Sequence, residues 1–590
     1  MKILVLIIVG LIVAVILLAV VAALIGSRLS KAFFTWVFRN NKPRGARGDC
    51  LKTRHPLAQR LRCAVRAEDP MLKETYYTAP TELDELIFAK LVPADHYLRQ
   101  VKAVVDFTSV RQLVAEYYSP DQGRGADDPV LLFKLCFLQF HYNLSDRDVL
   151  KAAQVNVAYR FFLDLSVESK LPTSGLLSQF RTRLGAAAFE VIFADLVRQA
   201  RVHGLIKDRL RLKDATHVLA NIAIPTTLQL VAQMRQRLLE AARIFAPEEV
   251  AAHEQAAAAV RASSADLKDQ ERLLARVTHL REIVTWADAL LARESEAATA
   301  GQGLGRQGKL QALQAALRLA HKVLADREPE ATDKLVSIVD PEARQGRHGD
   351  YFDGYLFDVS ADADSELICA INLLPGNGNE GADAVTLVQK EEAAQGNEIE
   401  GVSIDGIGFR GPTLQALEDD PEGPQVTVYA PPQDWPQEAP ELFEASDFKL
   451  NETGDELRCP QGETTRLRYR TKEGTGWRFE FRAKQCRDCP LREKCLKPGN
   501  TRPRRVTKND YEAQYRRARE RAQTDAYKQV RQEHPLIERK LGEMVRWHAG
   551  RRCRYRGRLR LLAQYLLTAF VVNAKRIVRL LCSPLAIQLT

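Results

Sequence analysis

The run LRLKDATHVLAN at residues 210–221 decides how this chain is read. Leu210 and Leu212 alternate with charged residues, the period of a strand with one buried face. Asp214 then arrives where that pattern calls for another apolar side chain. An aspartate at a strand end is ordinarily a turn or cap residue, so its meaning has to come from the rest of the chain.

At 590 residues the chain exceeds one ordinary core, and several domains are expected. Charged residues make up 27% and apolar ones 46%, which sets aside a disordered or fibrous chain. The net charge of +10 is uneven: residues 501–580 hold 22 Lys and Arg against 7 Asp and Glu, leaving the remainder slightly acidic. A basic C-terminal segment points to a polyanion, nucleic acid first; a solvated basic helix face is the plainer alternative. Residues 3–25 form an uninterrupted apolar run of 23 residues, enough to cross a hydrocarbon layer of about 30 Å. Arg28, Lys31, Arg39, Lys42, Arg44 and Arg47 follow it. They place the rest of the chain in the cytoplasm, tethered to the membrane if the span is used. Residues 1–26 are therefore read as a transmembrane-like helix and 27–70 as a basic linker.

From Met71 the pattern turns helical, and residues 71–205 read as a compact all-α domain. Ser145, three residues before Asp148, marks one helix start. After the Asp214 strand, residues 226–330 have long helical periodicity with a glycine break at AGQGLGRQG, which a helical hairpin accounts for most simply. Strand patterns return at LVSIVD (335–340), YLFDVSAD (355–362), LICAINLLP (367–375) and GVSIDG (401–406), with a helix pattern between the last two. The fold class is α/β, strands and helices together supplying the core.

Further acids stand in suggestive settings. Val402 and Ile404 lead into Asp405, with Gly406, Gly408 and Gly411 behind it. A carboxylate at the C-terminal end of a buried strand suits a cleft, where glycines allow backbone and substrate to approach closely; a plain turn reads equally well. Glu533, Glu538 and Glu543 lie along a helix whose stripe is Ile537, Leu541, Met544 and Val545. Beyond it RRCRYRGRLR holds six arginines in ten positions around Tyr555, either a solvated face or a phosphate-gripping surface. Lys575 and Arg576 on the last helix admit the same two readings. Cys459, Cys486, Cys489 and Cys495 are spaced Cys-x26-Cys-x2-Cys-x5-Cys. They fit a structural Zn²⁺ within residues 455–500, or else reduced thiols. His217 lies three positions past Asp214 and reads as a locally hydrogen-bonded histidine.

The ordered set HYLRQVKAVVDFTSVRQLVAEYY, KDATHVLAN, VDPEARQGRHGDYFDGYLFDVSAD, SIDGIGFRG, FRAKQCRDCPLREKC, the Glu538 stretch ending RYRG, and LLAQYLLTAFVVNAKRIVRLL resembles the bacterial insertion-sequence DDE transposases. The resemblance runs from about residue 71 to 582. It implies a helical N-terminal DNA-binding domain (71–205) before a ribonuclease-H-like catalytic domain (206–582), with insertions at 226–330 and 455–500. By position Asp214, Asp405 and Glu538 match the family's acidic triad. The family's glutamate follows an apolar residue and precedes the Arg/Gly cluster, which selects Glu538 over its neighbours.

Carboxylates brought together repel unless cations neutralise them, and the triad implies two Mg²⁺ (or Mn²⁺) ions. Held about 3.5–4 Å apart, such ions serve an in-line displacement. The implied reaction is strand cleavage at the element's inverted terminal repeats, then attack of the freed 3′-hydroxyl on target DNA. The implied partners are double-stranded DNA and further copies of the chain; the apolar run at 3–25, apart from the resemblance, adds membrane association if it is used as a span. DNA contacts are expected from Arg551, Arg552, Arg554, Tyr555, Arg556, Lys575 and Arg576. No P-loop stands out, in keeping with a reaction that exchanges one phosphodiester for another. The rival readings are an inactive relative that only binds DNA, and a membrane-anchored structural or regulatory protein. Met71 falls where the resemblance begins, so residues 1–70 are expected to be foreign to the family.

Overall fold

The computed structural model describes residues 77–119, 126–299, 304–433 and 442–582. The apolar 3–25 run and the 27–70 linker lie outside the described residues.

Among the described residues seven α-helices come first: α1 (Glu82–Leu91), α2 (Tyr97–Val104), α3 (Ser109–Leu113), α4 (Pro129–His141), α5 (Asp146–Val155), α6 (Val157–Phe162) and α7 (Ser174–Val202). Short polar side chains start them. Thr81 and Asp84 form a capping box on α1, and Asp128 caps α4 ahead of Pro129. Ser145 caps α5 by accepting from the Asp148 N–H, as its spacing predicts. Helix α4 is apolar all round, and every residue from Leu131 to Phe140 is buried, so it is a central helix rather than a surface one.

One mixed sheet follows, from β1 (Arg211–Leu219), β2 (Arg344–His348), β3 (Asp350–Asp362), β4 (Ile368–Pro375), β5 (Gly401–Ser403) and β6 (Thr427–Tyr429). Its order is β2–β3–β1–β5–β6, with β4 also paired to β3. Strand β3 runs antiparallel to β1, whereas β5 and β6 run parallel to it. Helix α12 (Glu380–Gln395) lies against β3 and β4, and α13 (Gly411–Glu418) joins it behind β5 and β6.

Three expectations need correcting. First, residues 226–330 are not a hairpin. They fold as α8 (Thr227–Ala242), α9 (Pro247–Ser263), α10 (Asp269–Thr299) and α11 (Leu304–Ala325). These share a core of their own around Met234, Leu238, Leu280, Ile283, Leu313 and Leu317. Second, LVSIVD is not a strand: Asp326 accepts the Leu335 N–H and Ser337 Oγ the Val339 N–H, side-chain acceptors that compete with a ladder. Leu335 and Ile338 instead pack into the insertion. Third, β1 is not half-solvated. Arg211 and Lys213 are 0% and 2% exposed.

After a module at 442–510 come α15 (Glu512–Ala522), α16 (Asp525–Glu533), α17 (Pro535–Trp547) and α18 (Arg558–Cys582), α14 (Ala483–Arg487) being inside the module. Helix α18 is long and apolar enough to cross a membrane, yet 83% of its apolar window is buried inside the fold. It packs on α2, α4, α7 and β4. One continuous core therefore joins the N-terminal helices, the sheet and α18. Asn573 fixes that helix to the sheet. Its amide accepts from the Ile368 N–H at 2.8 Å and donates to the Ile368 carbonyl at 2.7 Å.

Candidate active site

Side chains alternate across β1, so Leu212, Asp214, Thr216 and Val218 share one face and Arg211, Lys213, Ala215 and His217 the other. Leu212 and Val218 anchor the first face in the main core, and Asp214 sits between them. The parallel register pairs Arg211 with Val402 and Leu212 with Ser403. Carried two residues on, that register sets Asp214 level with Asp405. There the chain leaves the sheet: Asp405 accepts the Ile407 N–H at 3.2 Å and starts a tight turn at Gly406–Gly408.

Two of the glycines behind Asp405, Gly408 and Gly411, do not open room for substrate. A Cβ on Gly408 would strike the Ile404 side chain at 2.7 Å, and one on Gly411 the Tyr511 ring at 2.3 Å. Their smallness lets the chain pack on itself.

Glu538 stands in the first turn of α17, which packs against β1, and its charge acts on Asp214. The junction before that helix is tied down. His534 Nδ1 lies 3.0 Å from Ser403 Oγ, and Arg531 donates to the Ile404 carbonyl at 2.9 Å and to Ser403 Oγ at 3.2 Å. Burial pushes the His534 imidazole down to about 4, so at neutral pH it is an uncharged hydrogen-bonding post. The other two glutamates are engaged elsewhere: Glu533 with Arg209 at 2.8 Å, and Glu543 with Lys575 at 2.6 Å and Lys540 at 3.3 Å.

The acids act on one another. Burial, and then the charges of Asp405 and Glu538, push the Asp214 carboxyl up to about 7. The Ala215 N–H bond at 2.8 Å and the Lys213 charge only partly oppose this. Among the described residues no three His, Cys, Asp or Glu side chains stand at the spacing of a formed metal cluster. The donor chemistry nonetheless fits a hard cation: oxygen ligands carrying more negative charge than their surroundings balance.

A pH effect follows. A carboxyl whose folded pKa lies above its unfolded value is harder to ionise in the folded state. Its contribution is therefore full below about pH 4 and lost as pH rises through about 7. In EDTA the wild type should lose up to about 4 kcal/mol relative to Asp214→Asn between pH 4 and 8. Paired denaturant titrations measure this; a stability difference between the two proteins that is flat with pH contradicts it.

On the opposite face, which the strand pattern alone does not reveal, the charges are internal. Arg211 donates to Glu391 at 2.7 and 2.9 Å and to Asp362 at 3.0 Å. Lys213 pairs with Asp358 at 3.0 Å and donates to the Glu380 carbonyl at 2.8 Å. His217 packs against His348 and Phe352, with ring centroids at 5.4 and 5.0 Å.

The basic residues after α17 are mostly taken up within the fold. Strand β1 is prolonged by this loop: the Leu219 N–H donates to the Arg551 carbonyl at 2.8 Å and the Cys553 N–H to the Leu219 carbonyl at 3.0 Å. Arg551 donates to Thr216 Oγ1 at 3.2 Å and to the His217 carbonyl. Arg554 lies over the Phe140 ring at 4.8 Å and donates to the Leu144 carbonyl at 3.0 Å and to Asn143. The half-buried Tyr555 faces Arg181, Arg556 reaches the Asn221 carbonyl at 2.9 Å, and Lys575 and Arg576 pair with Glu543 and Glu366. Arg552 faces solvent.

These two arginines should therefore separate. Arg554→Ala is expected to cost about 2–3 kcal/mol of stability through its lost bonds and ring contact. Arg552→Ala should leave the melting temperature unchanged and weaken DNA binding equally on any sequence. Calorimetric melts and binding titrations at two salt concentrations check both.

Two family models match the chain. One, Transposase domain (DUF772), covers residues 86–183, from within α1 to the first part of α7. The other, Transposase DDE domain, covers residues 458–578, and so takes in Glu538 but not Asp214 or Asp405. Comparison with curated proteins and with solved structures gives no match.

Proposed function

Since this chain is a DDE transposase of the insertion-sequence kind, we propose that Asp214, Asp405 and Glu538 form its catalytic centre, cutting DNA at the element's terminal repeats and joining the freed end to a target. The observation that carries this is the parallel register of β1 with β5, whose continuation past the Leu212–Ser403 pair would bring Asp214 level with Asp405; the charges of Asp405 and Glu538 both bear on Asp214.

The DDE domain goes with divalent-metal chemistry. Mg²⁺ is the ion we assign, because the ligands offered are carboxylates alone. Two such ions would stabilise the attacking and leaving oxygens of the displacement. The chain's own part is placement. β1 holds Asp214 on its hydrogen-bonded ladder, Asp405 follows β5 at the start of the Gly406–Gly408 turn, and the Ser403–His534–Arg531 contacts fix where α17 begins. Water first breaks a phosphodiester and leaves a 3′-hydroxyl. That hydroxyl then attacks a target phosphodiester, so bonds made equal bonds broken and no nucleotide is consumed.

We read the sheet as ribonuclease-H-like. What supports this is one antiparallel strand, β3, beside parallel β1, β5 and β6, with Asp214 within β1 and Asp405 just past the end of the neighbouring β5. The N-terminal helices are assigned to DNA binding on the family match at 86–183. A homo-oligomer on paired ends in the cytoplasm completes the reading, tethered to the membrane if residues 3–25 are used as a span. The test is cleavage of labelled element-end duplex with Mg²⁺, Mn²⁺ or EDTA: metal-dependent nicks at the repeat boundary support it, and nicking that persists in EDTA refutes it.

A further inference from the structure

The module between Asp405 and Glu538 has little to hold it together. Its buried core is Phe448, Leu457, Phe479, Phe481 and Val506. Its strands pair in two small three-stranded sheets: β7 (Lys449–Leu450), β8 (Leu457–Arg458) and β9 (Thr464–Thr465), then β10 (Arg468–Arg470), β11 (Gly476–Glu480) and β12 (Arg505–Asn509). Units this small are stable when something besides apolar burial staples them, a disulfide or a metal.

The four cysteines lie where a staple belongs. Cys459, Cys486, Cys489 and Cys495 all line one small pocket, beside Phe448, Phe481 and Leu496. All four are free thiols. Cys486 sits in α14, while Cys459 and Cys489 begin turns: the Cys459 carbonyl accepts the Gly462 N–H at 2.9 Å, with Gly462 at φ +99°. Likewise the Cys489 carbonyl accepts the Arg492 N–H at 3.1 Å. Two arginines brace the cysteine backbone. Arg492 donates to the Cys486 carbonyl at 2.6 Å, and Arg504 to the carbonyls of Cys495 and Phe443 at 3.0 and 2.7 Å. Arg492 is thus a support for the cysteines. Guanidinium groups so placed also offset the two negative charges that four thiolates leave on a bound dication.

We propose that Cys459, Cys486, Cys489 and Cys495 bind one structural Zn²⁺ that holds the 442–510 module in shape. Four sulfur ligands select a soft, tetrahedral ion over Mg²⁺. The four thiols line one pocket, although among the described residues no three potential ligands stand at metal-binding spacing. The site is separate from the carboxylates and does not depend on the transposition reading.

The test uses the full-length untagged chain, purified in detergent with reductant and no chelator. Elemental analysis should find roughly one zinc per chain, released by a mercurial reagent in step with thiol titration. Cys486→Ser/Cys489→Ser should lose the zinc and expose 442–510 to trypsin, while Cys553→Ser keeps it. Asp214→Asn should also keep it; loss there would assign the zinc to the carboxylates and overturn the proposal. A zinc-free chain whose module resists trypsin in EDTA overturns it too, as does a disulfide among the four cysteines in the purified protein.

Discussion

Asp214→Asn, Asp405→Asn and Glu538→Gln are each expected to abolish strand cleavage, by roughly a thousand-fold or more, while Glu533→Gln and Glu543→Gln keep most of it. On the proposed reading, losing a carboxylate removes part of the charge that would hold the metals. A deficit of about 4 kcal/mol in transition-state stabilisation already gives that factor. The three glutamates lie on two adjoining helices, yet their surroundings differ. Arg209 answers Glu533, and Lys575 and Lys540 answer Glu543. Glu538 is exposed, and its charge bears on Asp214. Element-end binding should survive Asp214→Asn, because the amide keeps the shape of the carboxylate and removes a repelled charge. Cleavage assays run beside binding titrations decide the matter. Full cleavage by Glu538→Gln, or its loss in Glu543→Gln instead, would reassign the third acid.

The second large effect is on stability. Arg211→Ala should cost about 3–5 kcal/mol, because it leaves buried carboxylates without their partner. Glu391 and Asp362 have fully buried side chains, so neither can turn to water. Arg201 still reaches Glu391 at 2.7 Å but makes no ion pair with Asp362. Removing both sides of the main pair, as Arg211→Leu with Glu391→Leu, should recover part of the loss, since apolar replacements of buried pairs are tolerated better than half-pairs. Urea denaturation of the single and double variants measures this. A single variant as stable as the wild type would mean that α12 does not seal that face of the sheet.

Much of this fold is legible in the chain because period reports burial. The β1, β3 and β4 runs are visible as alternation or apolar density, and Ser145 marks its helix start by a local bond. What period does not report is the partner. Arg211 and Lys213 look like the solvent side of a strand, and only α12, some 170–180 positions on, makes them interior. The arginine loop misleads for the same reason: Arg551 finds Thr216 across 335 positions and Arg554 finds Leu144 across 410. A run of cations reads identically whether it grips phosphate or its own carbonyls. In 226–330 the helical period is plain, but the starts of α8 and α9, at the Thr226 capping box and at Pro247, divide it into more helices than a hairpin has. Two aspartates 191 positions apart acquire meaning from one strand pairing, which no local signal carries.

The most direct measurement is iron-mediated backbone cleavage. With Fe²⁺ in place of the native cation and peroxide added, hydroxyl radicals cut the chain beside the bound metal. Joint scission near residues 214, 405 and 538, suppressed by excess Mg²⁺ and lost in Asp214→Asn, is the predicted result. Cuts near one acid alone, or a pattern unchanged by Asp214→Asn, would show that the three do not share a metal site.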